Sequence, residues 1–227
     1  MEARLYAENP ATGFLPSTGS LDHLRFPDGL RIDSGVEQGD AVTPFYDPMI
    51  AKVIAHAPSR TDAAARLAAG MAQVEVWPVR TNAAFLSRAA RHPDFIAGRI
   101  DTGFIERHAD ALIPSAEPDG SVLQAAAGAL LDTRPEAWSA LHGFRMNGDP
   151  ATVVEVGVAG RPYRVTLAGV AARLRVADGV VYGDGEAWPF APWRHDRGAG
   201  ADAGGDGAIL SPMPGRVIAV AVAQGET

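Results

Sequence analysis

The 227-residue chain contains no cysteine, which removes disulfides, thiolate nucleophiles and cysteine-ligated metals from its possible chemistry and points to a reducing compartment. Lysine is almost absent as well: of twenty basic residues nineteen are arginine, and Lys52 is the exception. Long apolar runs are missing. The longest, Val217 to Ala223, falls far short of the ~18 residues that would suggest a membrane span, and no basic region followed by an apolar core opens the chain. Positive charge is in deficit, with 20 basic against 27 acidic residues and a formal net charge of −7, which argues against a protein that tracks nucleic-acid phosphates. Self-contained catalytic signatures are lacking too. The histidines at 23, 56, 92, 108, 142 and 195 form no i, i+4 helical pair, so no metal site is expected. No serine sits in a Gly-x-Ser-x-Gly elbow, and no Walker loop or Gly-x-Gly-x-x-Gly follows a strand.

What remains is a chain with a core. Hydrophobic residues make up 47% of it, and its 25 Gly and 17 Pro are too few for low-complexity disorder. Residues 1–48 are dense in Gly, Pro, Ser and Asp around short runs such as Gly29-Leu30-Arg31-Ile32-Asp33, the pattern of short strands and ordered loops. Ser59, three residues before Asp62, can cap an amphipathic helix carrying Ala64, Leu67, Ala68, Met71 and Val74. Asn82 can cap a second helix with Phe85, Leu86 and Ala89, which His92-Pro93 should end. A short third helix fits Phe104 to His108.

Pro114 to Gly120 is a composition break and a candidate domain boundary. Beyond it, Ser121 can cap a helix with Val122, Leu123, Ala126 and Leu130 on one face, closed before Pro135. Four runs rich in β-branched residues follow: Val154 to Val158, Tyr163 to Leu167, Leu174 to Val176, and Val180 to Tyr182. Ala159-Gly160, Asp178-Gly179 and Asp184-Gly185 lie between or after them, and Asp-Gly suits a type I′ hairpin because both central residues take positive φ. The expectation is an antiparallel meander with one leading helix. Gly198 to Gly207 holds only Gly, Ala and Asp and reads as a flexible tether, leading to two strand-like runs around Pro212-Met213-Pro214-Gly215.

Among charged residues Arg31 stands out, enclosed by turn residues and short apolar side chains. A guanidinium held there offers a planar fork for a carboxylate, bicarbonate or developing enolate and stays charged at any working pH. The alternative is a structural ion pair with Asp28 or Asp33.

Four motifs in order carry a family resemblance: Glu2 to Pro10, Phe14 to Gly19, Gly29 to Ser34, and Tyr46-Asp47-Pro48-Met49-Ile50-Ala51-Lys52. Val79-Arg80-Thr81-Asn82 and Asp101 to Glu106 continue it. Together they resemble the C-terminal subdomain of biotin carboxylase over about the first 110 residues. Pro212-Met213-Pro214-Gly215 resembles the start of a biotinyl carrier domain. Trp138, Leu141 and Gly143-Phe144-Arg145-Met146-Asn147 resemble the linker (BT) domain of the biotin-bearing α subunit of acyl-CoA carboxylases, most of all the 3-methylcrotonyl-CoA type.

The resemblance implies an α+β chain in four parts: a carboxylase C-terminal subdomain (1–113), a subunit-joining barrel around one helix (114–197), a linker (198–207) and the start of a biotinyl domain (208–227). It places Arg31 on the catalytic arginine that faces the biotin ureido oxygen, with Tyr46, Asp47 and Lys52 as packing and hydrogen-bonding support. Arg60 falls where the family makes part of its dimer contact. Phe144, Arg145, Met146 and Asn147 combine aromatic, Met and Arg side chains as an interface cluster for the carboxyltransferase β subunit would, or form an ordinary first barrel strand. The implied cofactor is biotin, on a lysine of a Met-Lys-Met sequence expected downstream of the Pro-Met-Pro-Gly turn; Lys52 lacks that context. ATP with Mg2+ or Mn2+ would bind an ATP-grasp portion expected before Glu2. Without these parts the 227 residues alone are expected to be inactive, while the parent would be a cytoplasmic ligase acting on bicarbonate and an acyl-CoA. It would pair with a β subunit, self-associate through the carboxylase part, and contact neither nucleic acid nor membrane. Alternatives are a propionyl-, acetyl- or geranyl-CoA carboxylase α subunit, or a non-catalytic scaffold that kept the architecture.

Overall fold

The computed structural model describes residues 1–45, 47–132, 152–167 and 174–193. Tyr46, the Phe144 to Asn147 cluster, the expected linker and the Pro212 to Gly215 turn lie outside the described residues. Residues Met1–Trp193 form one compact unit, and the described elements all belong to it.

Short strands dominate the first 54 residues, as their turn-rich composition predicts. They are β1 (Glu2–Tyr6), β2 (Glu8–Asn9), β3 (Leu15–Pro16), β4 (Gly19–Arg25), β5 (Arg31–Ser34), β6 (Ala41–Val42) and β7 (Met49–Ile54). Next come α1 (Arg60–Met71), β8 (Glu75–Pro78), α2 (Ala83–Arg91), α3 (Pro93–Ile96), α4 (Phe104–Arg107) and α5 (Ala109–Leu112). The strands pair antiparallel in the orders β1-β7-β5, β6-β4-β8 and β2-β3. One face of the β1-β7-β5 sheet presents Leu5, Ala51 and Val53 to a core shared with Leu67, Ala68 and Met71 of α1.

Local signals account for the helices. Ser59 Oγ accepts from the Asp62 N–H at 3.1 Å and donates to its carboxylate at 2.7 Å, so the expected cap starts α1. Val74, assigned to that helix by periodicity, is buried but lies past its end, where the chain turns back with Val74 N–H on Met71 O. Asn82 precedes α2 without capping it. Its Oδ1 accepts from Tyr6 N–H at 3.0 Å and its Nδ2 donates to Arg4 O at 3.4 Å, so a tertiary tie to β1 wins over the local one. His92 ends α2 in extended conformation, and Pro93 at once begins α3.

The expected boundary at residue 114 falls between α5 and α6 (Gly120–Asp132). Asp119 rather than Ser121 caps α6, its Oδ1 accepting from the N–H groups of Ser121 and Val122 at 2.8 and 2.9 Å. Then follow β9 (Val153–Val158), β10 (Arg161–Thr166), β11 (Arg175–Ala177), β12 (Val180–Gly183) and β13 (Glu186–Pro192). Ala159-Gly160, Asp178-Gly179 and Asp184-Gly185 all have positive φ at both residues, as type I′ turns require. The sheet is not a meander: its order is β10-β9-β13-β12-β11, because β13 returns to pair with β9. β13 contains Pro189 and Pro192, although proline reads against a strand interior. Val122, Ala126 and Ala127 of α6 pack on Val154, Val156, Val158, Val181 and Trp188.

Several contacts join this second sheet to the first part of the unit. The Asp184-Gly185 turn donates Gly185 N–H to Ala72 O at 2.9 Å, and a Cβ at Gly185 would lie 2.7 Å from Ala84 N. Arg80 Nη1 donates to Ala187 O at 3.2 Å and pairs with Glu186 at 3.4 Å. Glu75 accepts from Arg25 at 2.9 Å, lies 2.8 Å from His23 Nε2, and receives Arg175 of β11 at 3.4 Å; Tyr182 of β12 stacks on His23.

Candidate functional site

The β1-β7-β5 sheet buries one face, and its alternation sends the other side chains outward. Register places Arg4 and Asp33 opposite Lys52, and Glu2 and Arg31 opposite Ile54. Directly opposed residues of an antiparallel pair share a face, so Glu2, Arg4, Arg31, Asp33 and Lys52 form one polar surface of three cations and two carboxylates. All but the half-buried Lys52 are exposed.

Arg31 meets Asp33 in a two-pronged pair, Nε on Oδ1 at 2.9 Å and Nη2 on Oδ2 at 3.0 Å. That hydrogen bond raises the Arg31 pKa further, with the Asp33 charge and Glu2 adding to it. The same bond lowers the Asp33 carboxyl below the usual aspartate value, aided by the charges of Arg31 and Lys52. Between the two partners left open by the sequence, the structure selects Asp33. The Arg31 side chain is nevertheless 72% exposed, so an incoming anion can reach the guanidinium without backbone movement. Such a surface can hold an anionic oxygen at a fixed strand position, with the fork geometry that suits a planar carboxylate or ureido group.

The family model of the biotin carboxylase C-terminal domain matches residues 2–107, which contain this entire surface. Residues 2–107 are a biotin carboxylase C-terminal domain. The chain is 41% identical over 160 residues to the mitochondrial methylcrotonoyl-CoA carboxylase subunit alpha of Dictyostelium discoideum, covering 64% of this chain and 23% of that protein. It is 40% identical over 110 residues to a biotin carboxylase of Halalkalibacterium halodurans, covering 48% of this chain and 24% of that one. Among solved structures, the complete multifunctional pyruvate carboxylase from Rhizobium etli aligns with a TM-score of 0.50 at 26% identity, over 66% of this chain and 16% of that one. The chain thus spans about a quarter of the length of these curated relatives.

Within the biotin carboxylase C-terminal domain the other singled-out residues are dispersed. Asp47 is exposed beside Glu8, whose carboxyl is raised first by burial and then by the Asp47 charge, so it stands off the Arg31 surface. Arg60 is exposed but engaged: Nη2 donates to Phe95 O at 2.7 Å, Nε to Ile96 O at 3.1 Å, and the guanidinium lies over the Phe95 ring at 5.3 Å. It therefore closes the carbonyl end of α3.

Residue-level reading missed three features. Arg4 and Glu2 join Arg31 only through sheet register, although the alternation Glu2-Ala3-Arg4-Leu5 announces an outward charged edge. Glu75 collects its partners from β4 and β11, which sequence spacing does not connect. His92, Asp94 and His108 converge with ligand atoms within 4.8 Å of one another, contributed from separate helices rather than one helical face. No helix among the described residues is long and apolar enough to cross a membrane.

Proposed function

We propose that the chain is part of the α subunit of an ATP- and biotin-dependent acyl-CoA carboxylase of the 3-methylcrotonyl type. The carrying observation is Arg31, held on an open, cation-rich sheet face inside a biotin carboxylase C-terminal domain. The name of the Dictyostelium relative supports the choice of acyl-CoA.

The donor set fits biotin as partner. Arg31, with Arg4 and Lys52 on the same face, would hold the ureido oxygen where negative charge develops, while Asp33 holds the guanidinium until that oxygen replaces it. Biotin, when bound, supplies the nitrogen that accepts the carboxyl group. A cation already in place costs no reorganisation during reaction, so it stabilises the transition state more than the ground state. Tyr46 and Asp47 would give packing and hydrogen-bonding support to the biotin site. ATP with Mg2+ or Mn2+ and bicarbonate belong to an ATP-grasp portion of the parent.

Residues 114–197, which include the second sheet, are the module that docks on the carboxyltransferase β subunit, with Phe144, Arg145, Met146 and Asn147 as its contact cluster. Its helix packed on a five-stranded antiparallel sheet supports this reading. Residues 198–207 tether it to the start of the biotinyl domain at 208–227, and Arg60 lies near the carboxylase self-association surface.

In a holoenzyme carrying this segment, Arg31→Ala should slow biotin carboxylation by about 10²–10³, the loss typical of one preorganised charge-stabilising donor. An unchanged rate would remove Arg31 from the mechanism. Size-exclusion with light scattering of the chain with the β subunit should give a stable complex that Phe144→Ala with Arg145→Ala weakens; no complex would end the docking role.

A further inference from the structure

We infer that His92, Asp94 and His108 form a site for a zinc-class divalent ion that clips the end of the carboxylase subdomain together, a role separate from its chemistry on biotin. His92 stands at the α2–α3 junction, Asp94 in the first turn of α3, and His108 just past α4, so three elements meet here. Their ligand atoms all lie within 4.8 Å of one another. The Asp94 Oδ2 to His108 Nε2 separation is 3.3 Å. A charge-assisted hydrogen bond would be shorter, at about 2.7–2.9 Å. A tetrahedral ion with ligand distances of about 2.1 Å spaces its ligands about 3.4 Å apart, close to what this pair shows.

The surroundings orient the ligands. Arg99 donates through Nε and Nη2 to the same Asp94 oxygen, Oδ1, at 3.1 and 2.6 Å, which leaves Oδ2 turned toward His108. Outer contacts of this type fix a ligating carboxylate. The two imidazoles lie 4.1 Å apart, and both rest on the buried Phe104 ring. His92 Nδ1 accepts from Asp94 N–H at 3.2 Å; ligation through Nδ1 would exchange this long hydrogen bond for a metal bond, the ring proton staying on Nε2. Two imidazoles and one carboxylate suit zinc, cobalt or nickel over the oxygen-seeking magnesium or calcium, and three protein ligands leave a fourth position for water.

Titrating the chelator-stripped 227-residue chain with ZnCl2 by calorimetry should give one ion per chain, and CoCl2 should give the visible absorption band of a tetrahedral site. Binding should fall by about 100-fold or more in His108→Ala and in Asp94→Asn, and stay unchanged in His56→Ala. Saturating Zn2+ should also raise the Tm of the unsubstituted chain. Calorimetry without heat, a cobalt band that survives in a folded His108→Ala chain, or a Tm indifferent to zinc would each overturn the assignment. If His108→Ala does not fold, His108→Gln takes its place against the same criteria.

Discussion

Arg31–Asp33 and the Glu75 cluster are both charged groups on strands of the same compact unit, yet they are built for opposite ends. The Arg31 pair sits on an open face, 72% and 43% exposed, within two residues of one strand. Glu75 has a side chain 6% exposed and gathers His23, Arg25 and Arg175 from two other strands. Water competes with the first pair and screens it, so its value lies in being available to a ligand. Water is excluded from the Glu75 carboxylate, so its partners must all be in place or the charge is left uncompensated. The comparison separates a place where a ligand can bind from one that holds the second sheet against the first. Arg175 and Tyr182 belong to the second sheet, and the Tyr182 hydroxyl is pushed up to about 12, by burial first and by Glu75 next.

Breaking the buried cluster should have the largest effect. Glu75→Ala should cost about 3 kcal/mol in urea denaturation, the low end for removing one partner of a buried ion pair, because Arg25 and Arg175 are nearly half exposed and can rehydrate. Glu75→Gln, which keeps the shape, should recover only part of that loss; full recovery would mean the cluster works by packing rather than charge.

Glu186 sharpens the contrast, because it is a second acid at the junction whose pairing is poor. Its carboxyl is raised by burial more than Arg80 and Arg88 lower it, and the Arg80 contact is long at 3.4 Å. A raised folded pKa means the folded state takes up the proton more readily, so stability from this group grows as pH falls through that pKa. Glu186→Gln should therefore be neutral or stabilising at pH 7, and its advantage over the unsubstituted chain should shrink on acidification. Equal pH profiles for the two chains would refute this.

The smallest change is expected at the exposed pair. Arg31→Ala and Asp33→Asn should leave the urea midpoint almost unmoved at neutral pH and moderate salt. Asp33 has a lowered pKa, so whatever it contributes is present above the ordinary aspartate value and fades as pH drops through the lowered one. A substantial loss of stability in either variant would erase the distinction between the two clusters.

Where one or two neighbouring residues decide the backbone, the elements were legible in advance. Ser59 with Asp62, His92 before Pro93, and the three x-Gly turns behave as their local chemistry dictates. Local reading failed where a distant partner outbid it: Asn82 gave up its cap for β1, and β13 formed through two prolines because β9 and β12 both pair with it. The charged surface was half legible. Arg31 could be singled out by its setting, but its neighbours Arg4 and Lys52 arrive through strand register, which links residues nearly fifty positions apart.

By itself, then, the sequence determined the chemistry on offer: no thiols, almost no lysine, one conspicuous arginine, and strand and helix boundaries set by capping groups and turn residues. Tertiary structure alone decided that Arg31 rather than being buried faces outward in a pair with Asp33, that Glu75 joins two sheets, and that His92, Asp94 and His108 meet. The reason is range: turns and caps are governed by contacts within about four residues, whereas charge clusters depend on which strands and helices pack together, and packing is a property of the whole core.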